Sequence, residues 1–172
     1  MDYKHLPHSF FQRDVLEIAP IFLGKTLVRR LNDGTLLRFI ITEVEAYRGM
    51  EDIACHASKG RTQRTEIMFH EGGVIYVYLI YGMYWLLNIV TGKENDPSAV
   101  LIRGLEGISG PGRVGKVLQL DKTFYGENLA TSERLWIEDS EIEPKIITTP
   151  RIGIDYAGEP WISKPWRYLL NS

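Results

Sequence analysis

The sequence predicts a single α+β domain built on an antiparallel sheet, and two stretches carry most of that prediction. Residues 25–47, KTLVRRLNDGTLLRFIITEVEAY, read as two strands joined by a turn at Asn32-Asp33-Gly34. Residues 74–90, VIYVYLIYGMYWLLNIV, read as a second hairpin with its tip at Tyr81-Gly82-Met83. A chain of 172 residues is the size of one domain, 1–172, and buries roughly 70% of its unfolded surface. Its 44% hydrophobic and 24% charged content are ordinary for a globular protein.

The elements follow in order. The opening MDYKHLPHSFF lacks the continuous apolar core of a signal peptide. Asp14 followed by Glu17 marks a helix start, but Pro20 falls inside the apolar span, so two short turns are expected in place of one helix. The long strand from Thr35 to Tyr47 is unusual. Strict alternation sends Leu37, Phe39, Ile41, Glu43, Glu45 and Tyr47 to one side. An apolar face would therefore end in two carboxylates roughly 6 to 7 Å apart. That spacing suits one carboxylate activating a water while its neighbour tunes it, and it equally suits two glutamates meeting arginines at the rim of the sheet.

From Arg48 to about Glu66 the pattern dissolves into a long loop, and a loop of that length in a compact domain is usually functional. In the second hairpin a three-residue tip puts Tyr76, Tyr78 and Asn88 on one face; a two-residue tip would turn Asn88 to the other. The hairpin is too short, and too interrupted by Gly82 and Asn88, for a membrane span. Ser98 to Arg103 reads as a strand, GPGRVGKVLQL (110–120) opens a helix, and Ile146 to Ile152 forms a further strand before a proline- and tryptophan-rich end.

Several function classes are excluded. GPGRVGKV approaches a phosphate-binding loop, but Val117 stands where a Ser or Thr must bind magnesium, so a nucleoside triphosphatase is rejected. Its glycines could still present N–H groups to a single phosphate, helped by Arg113 and Lys116. The single cysteine, Cys55, forms no internal disulfide, and no Cys/His spacing suggests zinc. A reducing compartment, no metal and no organic cofactor are expected. The net charge of −2 counts mildly against nucleic acid, though a phosphate backbone responds to local patches such as Arg29-Arg30, Lys59/Arg61/Arg64, Arg113/Lys116 and Lys164/Arg167.

VEAYRGMEDIACH, VYLIYGMYWLLNI, VLIRGLEG, GPGRVGK, RIGIDYAGE and KPWR, in that order, resemble the alkyladenine (3-methyladenine) DNA glycosylase family of the non-helix-hairpin-helix type found in mammals and many bacteria. The match runs from about Phe10 to the C-terminus. The resemblance implies a curved antiparallel sheet with peripheral helices and a protruding hairpin that enters the minor groove of double-stranded DNA containing damaged purines. It implies Glu45 as the catalytic glutamate and Arg103 as a residue holding the nucleophilic water. Tyr47, His56 and Tyr78 match the residues enclosing the extruded base, and Asn88 the asparagine that crowds the amino group of guanine. Tyr81 matches the tyrosine that fills the gap in the duplex, with Met83 and Tyr84 nearby. Met50 departs from the family, standing where the mammalian pattern has proline. A bacterial, cytoplasmic, nucleoid-associated monomer that cuts only the N-glycosidic bond is expected. The alternative is a non-catalytic aromatic platform for single-stranded nucleic acid or carbohydrate.

Overall fold

A computed structural model describes residues 4–171, so Met1, Asp2 and Tyr3 of the opening stretch lie outside the described residues. The Asn-Asp-Gly turn forms as its chemistry demands, with Asp33 Oδ1 accepting from the Thr35 N–H at 2.9 Å. It joins β1 (Thr26–Arg30) to β2 (Leu36–Arg48), with Thr26 opposite Ile40 and Arg30 opposite Leu36. The second hairpin joins β3 (Ile75–Ile80) to β4 (Tyr84–Thr91). Ile80 faces Tyr84 and Tyr76 faces Asn88, so the tip has three residues and Tyr76, Tyr78 and Asn88 share a face. Tyr81 and Gly82 both turn through positive φ, 51° and 64°, and Gly82 makes that possible without a second strained side chain.

Along the chain follow β5 (Ser98–Leu105), the short β6 (Ile108–Ser109), β7 (Leu135–Glu138), β8 (Lys145–Thr149) and β9 (Arg167–Asn171). They build one open antiparallel sheet of order β3-β4-β5-β2-β1-β7, with β6 beside β5 and β9 pairing both β2 and β8. Pro150 ends β8 short of the expected Ile152, since proline has no N–H to give the ladder. β7 and β9 are short, and their sequence carries no alternation strong enough to announce them.

The apolar face of the sheet packs Val44, Ala46, Val100 and Ile102 against Phe11, Ile18 and Phe22 from the N-terminal turns. Those turns are the two short pieces expected: α1 (Val15–Ile18), capped by Asp14, then a 3₁₀ turn containing Pro20. On β4 rides α2 (Pro111–Val117). A Cβ at Gly115 would lie 1.8 Å from the Trp85 carbonyl, and one at Gly112 would lie 3.0 Å from the Tyr84 ring. These glycines let the helix press onto the strand.

The long strand corrects a second expectation. Ile41 pairs with Leu105, Glu43 with Gly104 and Val44 with Ile102, so both strands step out of register locally. Ile41 and Val44, three residues apart, consequently both enter the core, as do Ile102 and Leu105. The phase of β2 flips at this irregularity. Glu43 and Glu45 therefore do not continue the apolar face of Phe39 and Ile41. They emerge on the opposite face, beside Arg103.

Candidate active site

That opposite face carries a cavity of about 340 Å³ between the second hairpin and the segments around Ala54 and Ile152. Tyr47, His56, Tyr78, Asn88 and Arg103 line it, and Tyr81 reaches its mouth. Glu45 does not itself line it. The residue is fully buried, held behind the residues of the cavity wall.

An ionised carboxylate so placed must be supplied with donors. Glu45 Oε1 accepts from the Tyr47 hydroxyl at 2.8 Å and from an Arg103 N–H at 3.5 Å. Its Oε2 accepts from the Ile152 backbone N–H at 2.7 Å. All three donors belong to residues of the cavity wall. A carboxylate offers roughly four lone-pair positions, so these three donors leave one of them unmatched. Glu43 serves differently: it binds Arg103 at 3.1 Å and Arg167 at 2.8 Å, and so holds the Arg103 guanidinium between two carboxylates.

Around this group lies a cluster of rings. The His56 ring meets Tyr78 edge-on at 4.6 Å, and its Nδ1 lies 2.9 Å from the Tyr76 hydroxyl. Burial raises the phenol of Tyr76 to about 12, and burial likewise raises those of Tyr78 and Tyr47, the last pushed further by the Glu45 charge. All three stay neutral near pH 7 and act as apolar rings with a hydroxyl donor. Burial, with help from the Arg64 and Lys59 charges, lowers His56 to about 4.

The His56 shift has a stability consequence. Between about 4 and the ordinary 6.5, the unfolded chain binds a proton at His56 that the folded chain does not. The contribution is intact above 6.5 and lost as pH falls toward 4. Urea midpoints taken from pH 7 downward should fall more steeply for the wild type than for His56→Gln. Parallel curves would sink the assignment.

Asn88 is buried beside the cavity, its amide 3.5 Å from the Leu86 carbonyl. Tyr81 and Met83 project from the hairpin tip, 87% and 63% exposed, while Tyr84 is half-buried over Gly112. Arg113 and Lys116 are exposed on α2. Members of three expected cationic patches have partners within the protein. Arg29 is buried, its Nε donating to the Leu118 carbonyl at 2.7 Å. Arg61 pairs with Glu66, and Arg64 turns inward, its guanidinium 4.7 Å above the Tyr78 ring. Arg167 binds Glu43, and Lys164 lies over the Trp161 and Trp166 rings.

Sequence reasoning missed the support beneath the site. Asp52 and Arg151, both with fully buried side chains, pair at 2.6 Å. Asp52 also accepts the backbone N–H groups of Arg48 and Ala54, and Arg151 donates to the Ala46 carbonyl while lying between the Tyr47 and Trp166 rings. Both residues lie in the recognisable segments GMEDIACH and RIGIDYAGE. Nothing in the sequence joins two charges so far apart along the chain. Ile152, whose N–H holds Glu45, was equally invisible because a backbone donor has no residue-type signature. Among the described residues no group of His, Cys, Asp and Glu is arranged to hold a metal ion, and no helix is long and apolar enough to cross a membrane.

The sequence profile of the methylpurine-DNA glycosylase family matches residues 9–109 and 106–172. The chain is 44% identical over 183 residues to a protein of Methanocella arvoryzae, covering 95% of this chain and 90% of the other. It is 42% identical over 192 residues to one of Psychrobacter cryohalolentis, covering 94% and 89%. It is 43% identical over 177 residues to one of Legionella pneumophila, covering 98% and 95%. Each of the three is provisionally named a 3-methyladenine DNA glycosylase.

Proposed function

The chain belongs to the methylpurine-DNA glycosylase family, and on that premise we propose that it extrudes alkylated or deaminated purines from duplex DNA and hydrolyses their N-glycosidic bond. One observation carries the mechanism: the Glu45 carboxylate is held by three residues of the wall of an aromatic cavity, beside a hairpin whose tip exposes Tyr81.

A base inside a duplex must leave the stack before its sugar can be attacked, at a cost of a few kcal/mol. Tyr81, standing clear of the fold, is shaped to fill the gap and offset part of that cost. Met83 beside it, and Arg113 and Lys116 on α2, face the duplex in this arrangement. Tyr47, His56 and Tyr78 receive the purine, their electron-rich rings attracting the positive charge of an N-alkylpurine. Asn88 limits which bases fit. Glu45 then takes a proton from a water held with Arg103. The water oxygen bonds to C1′, the bond from C1′ to the base nitrogen breaks, and its electron pair leaves with the base. The negative charge of Glu45 also stabilises the oxocarbenium-like transition state. Among the described residues no lysine lines the cavity to act as an amine nucleophile, so the expected product is an abasic site in an intact strand.

Incubation with alkylated duplex DNA and assay of free 3-methyladenine tests the whole proposal; no release above background would favour a binding module instead. Tyr81→Ala tests the extrusion step. Because the side chain touches little of the fold, the variant should keep wild-type stability and lose about ten- to a hundredfold in kcat/KM on duplex substrate, corresponding to about 1.4–2.8 kcal/mol of barrier. Undiminished activity on duplex would remove Tyr81 from that role.

A further inference from the structure

We propose that Arg64 is a positioning residue which, acting through the Tyr76 hydroxyl, fixes the proton of His56 on Nε2, so that the cavity wall offers an N–H donor to the extruded base. This rests on the cavity being a base pocket, as proposed above.

One short chain of hydrogen-bonded atoms has a fixed number of protons to share. Arg64 Nε donates to the Tyr76 hydroxyl at 3.2 Å, and that hydroxyl lies 2.9 Å from His56 Nδ1. A guanidinium can only donate, so the direction of the first bond is settled. The phenol has a single proton of its own, and Tyr76 is 1% exposed. If His56 carried its proton on Nδ1, two donors would point at the phenol oxygen and the phenol proton would be buried without an acceptor. The low-energy arrangement therefore has Tyr76 donating to a bare Nδ1. The proton of the neutral imidazole then sits on Nε2, which among the described residues has no partner of its own.

Arg64 is itself held in place. Its guanidinium lies 4.7 Å above the Tyr78 ring. The Tyr125 hydroxyl donates to the Arg64 carbonyl at 2.9 Å and accepts from the Ile67 N–H at 3.2 Å, which ties this loop to the back of the site. The Tyr125 ring also meets Tyr76 edge-on at 6.2 Å. A donor at Nε2 favours a base that presents an acceptor there, such as the carbonyl of a deaminated purine. A base that presents an amino group gains nothing from it.

The test combines a spectroscopic and a kinetic measurement on the full chain. With ¹⁵N-labelled histidine, the four histidines are distinguished by the signals lost in His56→Gln. The wild type should show an unprotonated Nδ1 and a protonated Nε2 at His56. Arg64→Met, which still covers Tyr78 but donates nothing, should mix the two tautomers; Arg64→Lys should restore the wild-type pattern. Tyr76→Phe, which removes the relay itself, should also mix them and serves if Arg64→Met does not fold. In single-turnover assays Arg64→Met should release hypoxanthine roughly tenfold more slowly, the size of one neutral hydrogen bond, while release of 3-methyladenine changes less. A protonated Nδ1 in the wild type, or unchanged His56 nitrogens in Arg64→Met, would overturn the relay. Equal losses on both bases would overturn the use of its donor in selection. A wild type that released neither base would instead sink the glycosylase proposal, and the tautomer measurement would stand apart from it.

Discussion

Glu45→Gln should bind lesion-containing duplex as the wild type does and release base at least a thousandfold more slowly. The substitution keeps the shape of the side chain. Its amide oxygen can still accept from the Ile152 N–H or from Tyr47, which now hold the carboxylate at 2.7 and 2.8 Å. It removes the charge and the basicity together. General-base assistance contributes typically about 10²–10⁴-fold, and loss of a preorganised charge opposite a developing oxocarbenium adds to that. The comparison to make is single-turnover release of 3-methyladenine beside a binding titration at fixed salt, because affinity for the phosphate backbone depends steeply on salt. Release within tenfold of wild type would take Glu45 out of the chemistry. A parallel loss of binding would mean that the residue supports the pocket and does not act on water.

Asp52→Ala should cost about 3–5 kcal/mol, because it leaves a buried guanidinium without its carboxylate. Arg151 is fully buried and its Nε already lacks a partner, so the side chain has no route to water when Asp52 is removed. The Arg48 and Ala54 N–H groups lose their acceptor in the same step, which loosens the loop that leads to His56. A chain of this size should lose on the order of 10 °C in Tm. The double variant Asp52→Ala/Arg151→Met should recover part of the loss, since it removes the stranded charge. Thermal unfolding of the three proteins decides the matter. A loss below about 1 kcal/mol would show that the pair is as weak as an exposed one.

Much of the scaffold was legible in the chain. Asn-Asp-Gly is a turn wherever it stands between β-rich runs, Pro20 breaks a helix wherever it falls, and tyrosines alternating with aliphatics specify a strand face. These are local effects, decided within a few residues. The register of the second hairpin hung on its tip length, and the Ile80 to Tyr84 pairing settled it in favour of one shared face for Tyr76, Tyr78 and Asn88. The glycines of GPGRVGK were visible, but their purpose depended on the neighbouring strand: Gly115 sits where the Trp85 carbonyl leaves no room for a side chain.

By itself the sequence determined the hairpins, the two closely spaced carboxylates, the alternating tyrosines, and the run of segments that resembles one glycosylase family, because each of these is written in residue type and short spacing. Only the tertiary structure decided which face of β2 carries Glu45, how deeply that carboxylate lies, and which distant groups hold it. Strict alternation held along the strand until the irregularity between Ile41 and Val44. Past that point the pairing with β5 and the demand of a buried charge for donors outweighed the local pattern. Those donors come from Tyr47, Arg103 and the backbone of Ile152, and only folding brings them to one point.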